Sequence, residues 1–163
     1  MALKSDRQIL DDGTCIDFWL NEVAERGYTA VFSTVGSGAA LDQSAALVTL
    51  SAYPSGKVPA GMLLQDMVNI DQSRQHINWL KDEVIKGSKV ALLHHGTVVT
   101  NAVYPGTTPV AGSRAYLYHS GLLTPTKDAT HGLLVTPLVG QFLSSKDEDG
   151  YCKVRVSLPQ PTV

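Results

Sequence analysis

The chain is short of charge and has no long apolar run. Only 17% of its 163 residues are charged, and 13 Lys and Arg against 15 Asp and Glu leave a formal net charge of −2. A general nucleic-acid binder needs surplus cations to neutralise phosphates, so this balance argues against that class. No apolar run approaches the roughly 20 residues that cross a bilayer. Residues 1–13 also lack the apolar core of a secretory signal, so neither a membrane nor a secreted protein is expected.

Cysteine is also scarce. Cys15 and Cys152 are the two cysteines, and they build neither a disulfide framework nor a zinc motif, which indicates reduced thiols in an intracellular environment. A chain of this length that is 44% hydrophobic can form a core without metals or disulfides. Turn formers are abundant, with 14 Gly and 8 Pro. They interrupt a series of short apolar runs.

These interrupted runs predict the fold. Strands are expected at 28–34 and 46–52, and then at 62–70, 89–93, 97–103, 115–118, 138–143 and 151–158. Short strands at near-regular spacing are typical of a small β-barrel or sandwich rather than of βαβ units. We therefore predict a mainly β protein with short helical segments and an extended N-terminal arm. The predicted division is an arm with accessory elements at 1–55 and a β-barrel domain at 56–163.

Helices are expected in two segments, and in each a strand is the alternative. In the first, five apolar residues recur at helical spacing before Gly27, namely Ile16, Trp19, Leu20, Val23 and Ala24. Alternation of Ile16, Phe18 and Leu20 fits a strand there. In the second, 71–84, Asp71 is a candidate N-cap, and Ile77, Leu80 and Val84 share a helical face. Residues 77, 79, 81 and 83 also alternate, so a strand stays open.

The histidines do not form a metal-binding pattern. They are His76, His94, His95, His119 and His131. Metal ligands usually lie two to four residues apart on one rigid element, whereas neighbours such as His94 and His95 on a strand point to opposite faces. We predict no metal site.

The candidate nucleophiles also lack the context that catalysis needs. Ser37 lies in a GlySerGly segment without the strand and helix that frame a nucleophile elbow, and without the third glycine of a dinucleotide site. Neither Cys15 nor Cys152 has a neighbouring base, and Cys152 alternates with apolar residues as a core residue would. Residues 147–150 begin like a calcium loop but lack its distal ligands, which favours a hairpin turn ending in a left-handed glycine. We predict no catalytic residue, no cofactor and no enzyme; a hydrolase using Ser37 or Cys15 is the weakest hypothesis.

Several segments, taken in order, carry a family resemblance. They are KGSKVALL (86–93), TPVAGSRAYL (108–117) and VGQFLSSKDEDGYCKVRV (139–156). This order resembles the capsid decoration, or cement, proteins of tailed bacteriophages, in which such strands and a closing hairpin recur in a small β-barrel. The opening MALKSDRQ and the segment AGMLLxxMVNID (60–71) are similar to proteins of this kind in cyanobacterial phages. The resemblance covers most of the chain from about Lys57.

The resemblance implies a virion structural protein, made in the host cytoplasm, that sits on the outer capsid surface. There it would cement neighbouring copies of the major capsid protein and stabilise the shell against internal DNA pressure. The expected partners are the major capsid protein and the chain itself, as a homotrimer or a dimer, with no nucleic acid and no membrane. An N-terminal arm suits strand addition to a coat-protein sheet, with a disordered terminus as the alternative. The expected capsid contacts are Leu3, Lys4, Arg7, Ile9 and Leu10.

A binding module of another class is the competing hypothesis. A head-fibre or receptor-binding β-module would present a concave patch of aromatic side chains to a carbohydrate. The candidates for such a patch are Trp19, Trp79, Tyr116 and Tyr118.

Overall fold

The fold is built almost wholly from short strands. In a computed structural model, the residues described are 10–11, 16–33, 46–64, 70–71, 76–77, 83–84, 89–127 and 136–159. The strands are β1 (Leu10–Asp11), β2 (Ile16–Leu20), β3 (Ala24–Glu25), β4 (Thr29–Phe32), β5 (Leu47–Thr49), β6 (Pro59–Leu63), β7 (Ile70–Asp71), β8 (His76–Ile77), β9 (Glu83–Val84), β10 (Lys89–Leu93), β11 (His95–Thr100), β12 (Arg114–Leu117), β13 (Leu123–Thr124), β14 (Leu138–Phe142) and β15 (Cys152–Ser157). The predicted mainly β fold is confirmed.

Five of these strands close into a barrel. Their order is β10-β2-β5-β4-β6, and β6 pairs with β10 to complete the ring. The pairs are antiparallel except β2–β5, which is parallel. The barrel takes strands from both ranges of the predicted division, 1–55 and 56–163, and that division into domains stays a prediction. A closed barrel leaves none of its own strands at an open edge.

The barrel has an apolar core of its own. Phe18, Leu20, Val48, Leu63 and Leu92 are buried in one cluster. Each such side chain contributes roughly 1.5–3 kcal/mol when it is removed from water. Strand alternation explains which side chains of β2 join this core, because Phe18 and Leu20 point inwards while Trp19 between them is half-buried.

A six-stranded antiparallel sheet forms the other part of the fold, in the order β1-β11-β15-β14-β12-β13. On β15 the side chains of Cys152, Val154 and Val156 are buried, while Lys153 and Arg155 are exposed. The buried face belongs to a core cluster that also contains barrel residues, namely Val31, Met62 and Leu93. The sheet therefore packs on the outside of the barrel through a shared apolar layer. Strands β3–β9 and β7–β8 form two further small pairs.

His94 joins the two parts. It is the single residue between β10 of the barrel and β11 of the sheet, and its carbonyl oxygen accepts a hydrogen bond from Leu158 N at 2.9 Å. Gly61 on β6 allows close approach beside this junction, because a Cβ at Gly61 would lie 2.7 Å from Cβ of Leu92. The barrel and the sheet are thus linked covalently at His94, and the barrel strands β6 and β10 pack closely beside this link.

The helix expected over 16–24 is wrong. Residues 16–20 form β2, in which Ile16 lies opposite Leu92 and Trp19 opposite Lys89. The strand alternative is confirmed because pairing with β10 satisfies the backbone groups that a helix would have paired internally. In the second segment, the helix and its N-cap at Asp71 are wrong, because Asp71, His76–Ile77 and Glu83–Val84 lie in strands β7, β8 and β9. The other residues of this segment lie outside the described residues.

The other predicted strands agree with the structure to within a few residues. The run expected at 62–70 differs, because β6 begins at Pro59 and ends at Leu63. Proline is tolerated as the first residue of a strand, where its missing N–H costs little. None of the helical structure in the described part of the chain is long and apolar enough to cross a membrane.

Candidate interaction surface

Most of the predicted capsid contacts lie outside the described residues. These are Leu3, Lys4, Arg7 and Ile9. The fifth, Leu10, belongs to β1, and its backbone lies opposite Thr97 of β11. Leu10 therefore pairs with the sheet of its own chain, which sequence reasoning did not anticipate.

Apolar side chains are exposed on the barrel where β4 ends. We call Phe32, Tyr53 and Val58 the barrel patch; Tyr53 is 73% and Val58 59% exposed, and Phe32 is partly exposed. The backbone N–H of Phe32 donates to the carbonyl of Val58 at 3.0 Å, which fixes these two residues side by side. Tyr53 lies on the same β5–β6 loop as Val58. Exposed apolar residues on one loop are candidates for a contact surface.

The loop that carries this patch is held in place by hydrogen bonds. Ser51 Oγ donates to the carbonyl of Tyr53 at 2.7 Å, and Lys57 N donates to the carbonyl of Pro54 at 3.0 Å. Ser120 N, from the hairpin between β12 and β13, donates to the carbonyl of Ser51 at 2.8 Å. The loop is thus anchored to itself and to the sheet, which limits the entropy lost when its apolar residues bind a partner.

The side chain of Phe32 also packs against a buried ring of the barrel core. Its ring meets the buried ring of Phe18 edge-on, with centroids 5.6 Å apart. Phe18 in turn stacks on His94 at 6.1 Å. The exposed part of Phe32 is therefore held on a row of rings that runs to the junction between barrel and sheet.

A second apolar patch lies on the sheet. We call Val110 and Leu143 the sheet patch; Val110 is 66% exposed and Leu143 follows the end of β14 with a partly exposed side chain. Gly112 N donates to the carbonyl of Phe142, and Phe142 N donates to the carbonyl of Ser113, both at 2.8 Å. These bonds hold the 110–113 loop against the end of β14.

The aromatic residues near the β12–β13 hairpin pack mainly on one another. Tyr118 is buried, and its ring lies 4.6 Å from that of Tyr104 and 4.2 Å from that of His119. Of the other aromatic candidates for a carbohydrate site, Trp19 and Tyr116 are half-buried and Trp79 lies outside the described residues. Tyr118 is part of the packed interior, and the carbohydrate-binding alternative stays a prediction.

The acidic segment 147–150 forms the predicted turn. Asp147 Oδ1 accepts hydrogen bonds from the backbone N–H of Asp149 at 3.1 Å and of Tyr151 at 2.7 Å. Gly150 ends the turn with a φ of 82°, in the left-handed region that favours glycine. The carboxylate of Asp147 is engaged in shaping the hairpin, which confirms the turn interpretation.

Of the candidate nucleophiles, Cys152 lies within the described residues. Its side chain is buried on β15, and burial raises the pKa of its thiol to about 11, against a smaller lowering by Lys146. Its predicted place in the core is confirmed. The other candidates, Cys15, Ser37 and His131, lie outside the described residues. Within the described ranges, no group of three or more His, Cys, Asp or Glu side chains is arranged to hold a metal ion.

Comparisons with known proteins add no relative. No protein-family model matches the chain, and no curated protein matches it significantly.

Proposed function

We propose that the chain is a virion structural protein that decorates the outer surface of a capsid and cements neighbouring copies of the major capsid protein. The observation that carries the proposal is the pair of apolar patches, one on the barrel and one on the sheet. A cementing protein has to make more than one contact, and two patches held by hydrogen-bonded loops meet that need.

The energetics of such a role need no chemistry beyond binding. A protein that binds the assembled shell more tightly than its separate subunits stabilises the shell by mass action. Apolar side chains on anchored loops lose little freedom on binding, so less of the free energy from their burial is offset by the cost of ordering them. The low charge of the chain fits a surface that is covered, because the cores of protein interfaces are depleted in charged residues.

The sequence segments that resemble decoration proteins fall on sheet and barrel strands. Segment 86–93 contains β10, segment 108–117 contains β12, and segment 139–156 covers most of the hairpin of β14 and β15. The small β-barrel that the resemblance implied is therefore compatible with the observed architecture. This agreement of order and strand position supports the proposal.

The proposal also includes capsid contacts by the N-terminal residues and self-association of the chain. Leu3, Lys4 and Arg7 precede β1 and are proposed to contact the capsid, with the chain acting as a homotrimer or dimer on the virion surface. Removal of residues 1–7 tests this role, because it leaves the observed pairing of β1 with β11 in place. We expect weaker capsid binding and an unchanged melting temperature.

The barrel patch is tested by sedimentation with emptied, expanded capsids of the phage that encodes the chain. The double variant Tyr53→Ser, Val58→Ser should bind at least about tenfold more weakly, as expected when residues at the centre of an interface are truncated. Val23→Ser is the matched control, because Val23 is also an exposed apolar residue but lies in the turn between β2 and β3. Equal binding by the double variant and the control would remove the patch from the interface.

A further inference from the structure

The outer face of the six-stranded sheet carries cations. Its central strands β11, β12, β14 and β15 contain three Lys and Arg residues and no acidic residue. Strand alternation buries the inner side chains and turns the others outwards. The exposed polar side chains on the outer face of β12, β14 and β15 are Arg114, Gln141, Lys153 and Arg155. Because the whole chain has a formal net charge of −2, the remainder of the chain is net negative.

The strand register brings these cations close together. Arg114 lies opposite Gln141, and Gln141 lies opposite Arg155. Residues opposite each other share a face, so the two arginines flank Gln141 at two strand spacings, about 10 Å apart. Lys153 is two residues from Arg155 on β15 and is exposed on the same face. We call Arg114, Lys153 and Arg155 the cationic face.

Leu143 of the sheet patch adjoins the cationic face. Leu143 N donates to the carbonyl of Lys153 at 2.7 Å, so the pairing of β14 with β15 continues one residue past the end of β14. Alternation turns Leu143 to the same side as Gln141, and its side chain is partly exposed. An apolar side chain with charged neighbours is typical of an interface that has an apolar centre and a polar rim.

The turn of the same hairpin has the opposite charge. Asp147, Glu148 and Asp149 are consecutive and exposed. Hydrogen bonds from the backbone N–H groups of Asp149 and Tyr151 to Asp147 Oδ1 fix the shape of the turn. We call Glu148 and Asp149 the acidic tip. A fixed turn loses little freedom when its charged side chains meet a partner.

The acidic tip lies apart from the arginines of its own chain. Arg155 is three residues along β15 from Cys152, where the strand begins, a distance of about 10 Å. Arg114 is in the same row as Arg155, since Gln141 lies opposite both of them. The acidic tip precedes Cys152 and is directed away from this row.

We propose that the cationic face binds the acidic tip of a second copy of this chain. The two surfaces are opposite in charge, exposed and carried by one sheet. Two copies related by a twofold axis can make this contact twice, and a head-to-tail repeat can close into a ring. The inference rests on the self-association included in the proposed function and names its surfaces. It assigns the sheet patch to contacts between copies and leaves the barrel patch for the capsid.

Charge-swap complementation tests the contact. The face variant is Arg114→Glu, Arg155→Glu, and the tip variant is Glu148→Lys, Asp149→Lys. Sedimentation velocity in about 50 mM NaCl measures the association of the wild-type chain, of each variant and of a one-to-one mixture of the two variants, because charges on exposed side chains are weakly screened there. Thermal melts check that each variant is folded, and the single substitution Glu148→Lys replaces the tip variant if that variant is unstable.

Lys57→Glu, Lys127→Glu is the matched control. It changes the net charge as the face variant does, at exposed positions outside the hairpin. We expect the control to associate like the wild-type chain and each of the other variants to associate at least about tenfold more weakly. The mixture should recover wild-type association, because the reversed tip meets the reversed face and the unmodified tip meets the unmodified face.

Three results would overturn the proposal. They are a monomeric wild-type chain, association that persists in both variants, and a mixture that associates no better than its components. A face variant that associates normally but binds emptied capsids more weakly would assign the cationic face to the major capsid protein and also overturn it. The proposed function fails independently, if the barrel-patch variant binds capsids normally or the chain is absent from virions.

Discussion

Gly140 on β14 lies so close to Arg155 on β15 that no side chain fits between them. A Cβ on Gly140 would be 1.9 Å from the carbonyl oxygen of Arg155. The two strands pair antiparallel here, and Gly140 lies opposite Val156. The glycine in this segment of the sequence therefore has a packing reason, which is the close approach of two backbones in the centre of the sheet.

Substitution of Gly140 should consequently disrupt the sheet. We expect Gly140→Ala to lower the free energy of unfolding by about 3 kcal/mol or more, since the obstructing atom belongs to backbone that cannot move aside cheaply. Gly112→Ala is the control: its Cβ would meet nothing within 4 Å, although its φ of +90° makes alanine strained there. We expect that strain to lower the free energy of unfolding by about 1–2 kcal/mol. Urea denaturation of both variants checks the difference, and equal losses would contradict it.

Two buried threonines should respond in opposite ways to loss of their hydroxyl groups. Oγ1 of Thr29 is buried and has no hydrogen-bond partner among the described residues, so Thr29→Val should leave stability unchanged or raise it by about 1 kcal/mol. Oγ1 of Thr100 donates to the carbonyl of Gly27 at 3.3 Å and accepts from Ala102 N at 3.0 Å. Thr100→Val should therefore cost about 1–3 kcal/mol. Thermal melts of the two variants measure the difference. A larger loss of stability in Thr29→Val than in Thr100→Val would contradict the prediction.

Lys146 should stabilise the loop that follows β11. Its Nζ donates to the carbonyls of Tyr104 at 3.2 Å and Thr107 at 2.8 Å. Lys146→Met keeps most of the side-chain length but removes both bonds, so we expect a loss of about 1–3 kcal/mol. Lys153→Met, at an exposed position of β15, should change stability by less than about 0.5 kcal/mol. Chemical denaturation measures both, and similar values for the two variants would show that the bonds of Lys146 contribute nothing.

The thiol of Cys152 should make stability depend on pH in alkaline solution. Burial raises its pKa to about 11 in the folded chain, whereas an unfolded thiol ionises at about pH 8.5. The unfolded state releases the proton first, so the stabilisation is complete below that pH and is lost as pH rises towards 11. The loss should reach about 2–3 kcal/mol at pH 11.

Comparison with Cys152→Ala isolates this effect. Burial, and to a lesser degree Glu25, also raises the pKa of Tyr28, but that group contributes equally to both chains. The free energy of unfolding, measured between pH 7 and 11, should fall less steeply in Cys152→Ala. Parallel curves for the two chains would contradict the assignment.

Sequence reasoning recovered β15 well because it alternates strictly. On β15 the alternation of Cys152, Val154 and Val156 with charged neighbours has one interpretation only, and turn residues bound the strand on either side. The segment around Ile16 was ambiguous because its apolar residues satisfy two periods at once. Its partner β10 decides the outcome from more than 70 residues away in the chain, as the pairing of Ile16 with Leu92 shows.

The barrel closure and the interaction surface had weaker signals in the sequence. The parallel pairing of β2 with β5 joins distant segments, and no local pattern specifies it. Tyr53, Val58 and Val110 are apolar residues in turn-rich segments, where sequence alone cannot tell a buried loop anchor from an exposed contact. Pro54 illustrates the problem, since it adjoins Tyr53 and is buried.

The most direct test of the proposed function is the composition and structure of the virion itself. Under the proposal a phage encodes the chain; its virions are purified, their proteins are quantified by mass spectrometry, and the capsid is mapped by cryo-electron microscopy. The account predicts this chain at a fixed, symmetry-determined ratio to the major capsid protein, and density above the capsid lattice that fits the barrel and its packed sheet. Absence of the chain from purified virions, or its presence only in tail or fibre density, would contradict the account.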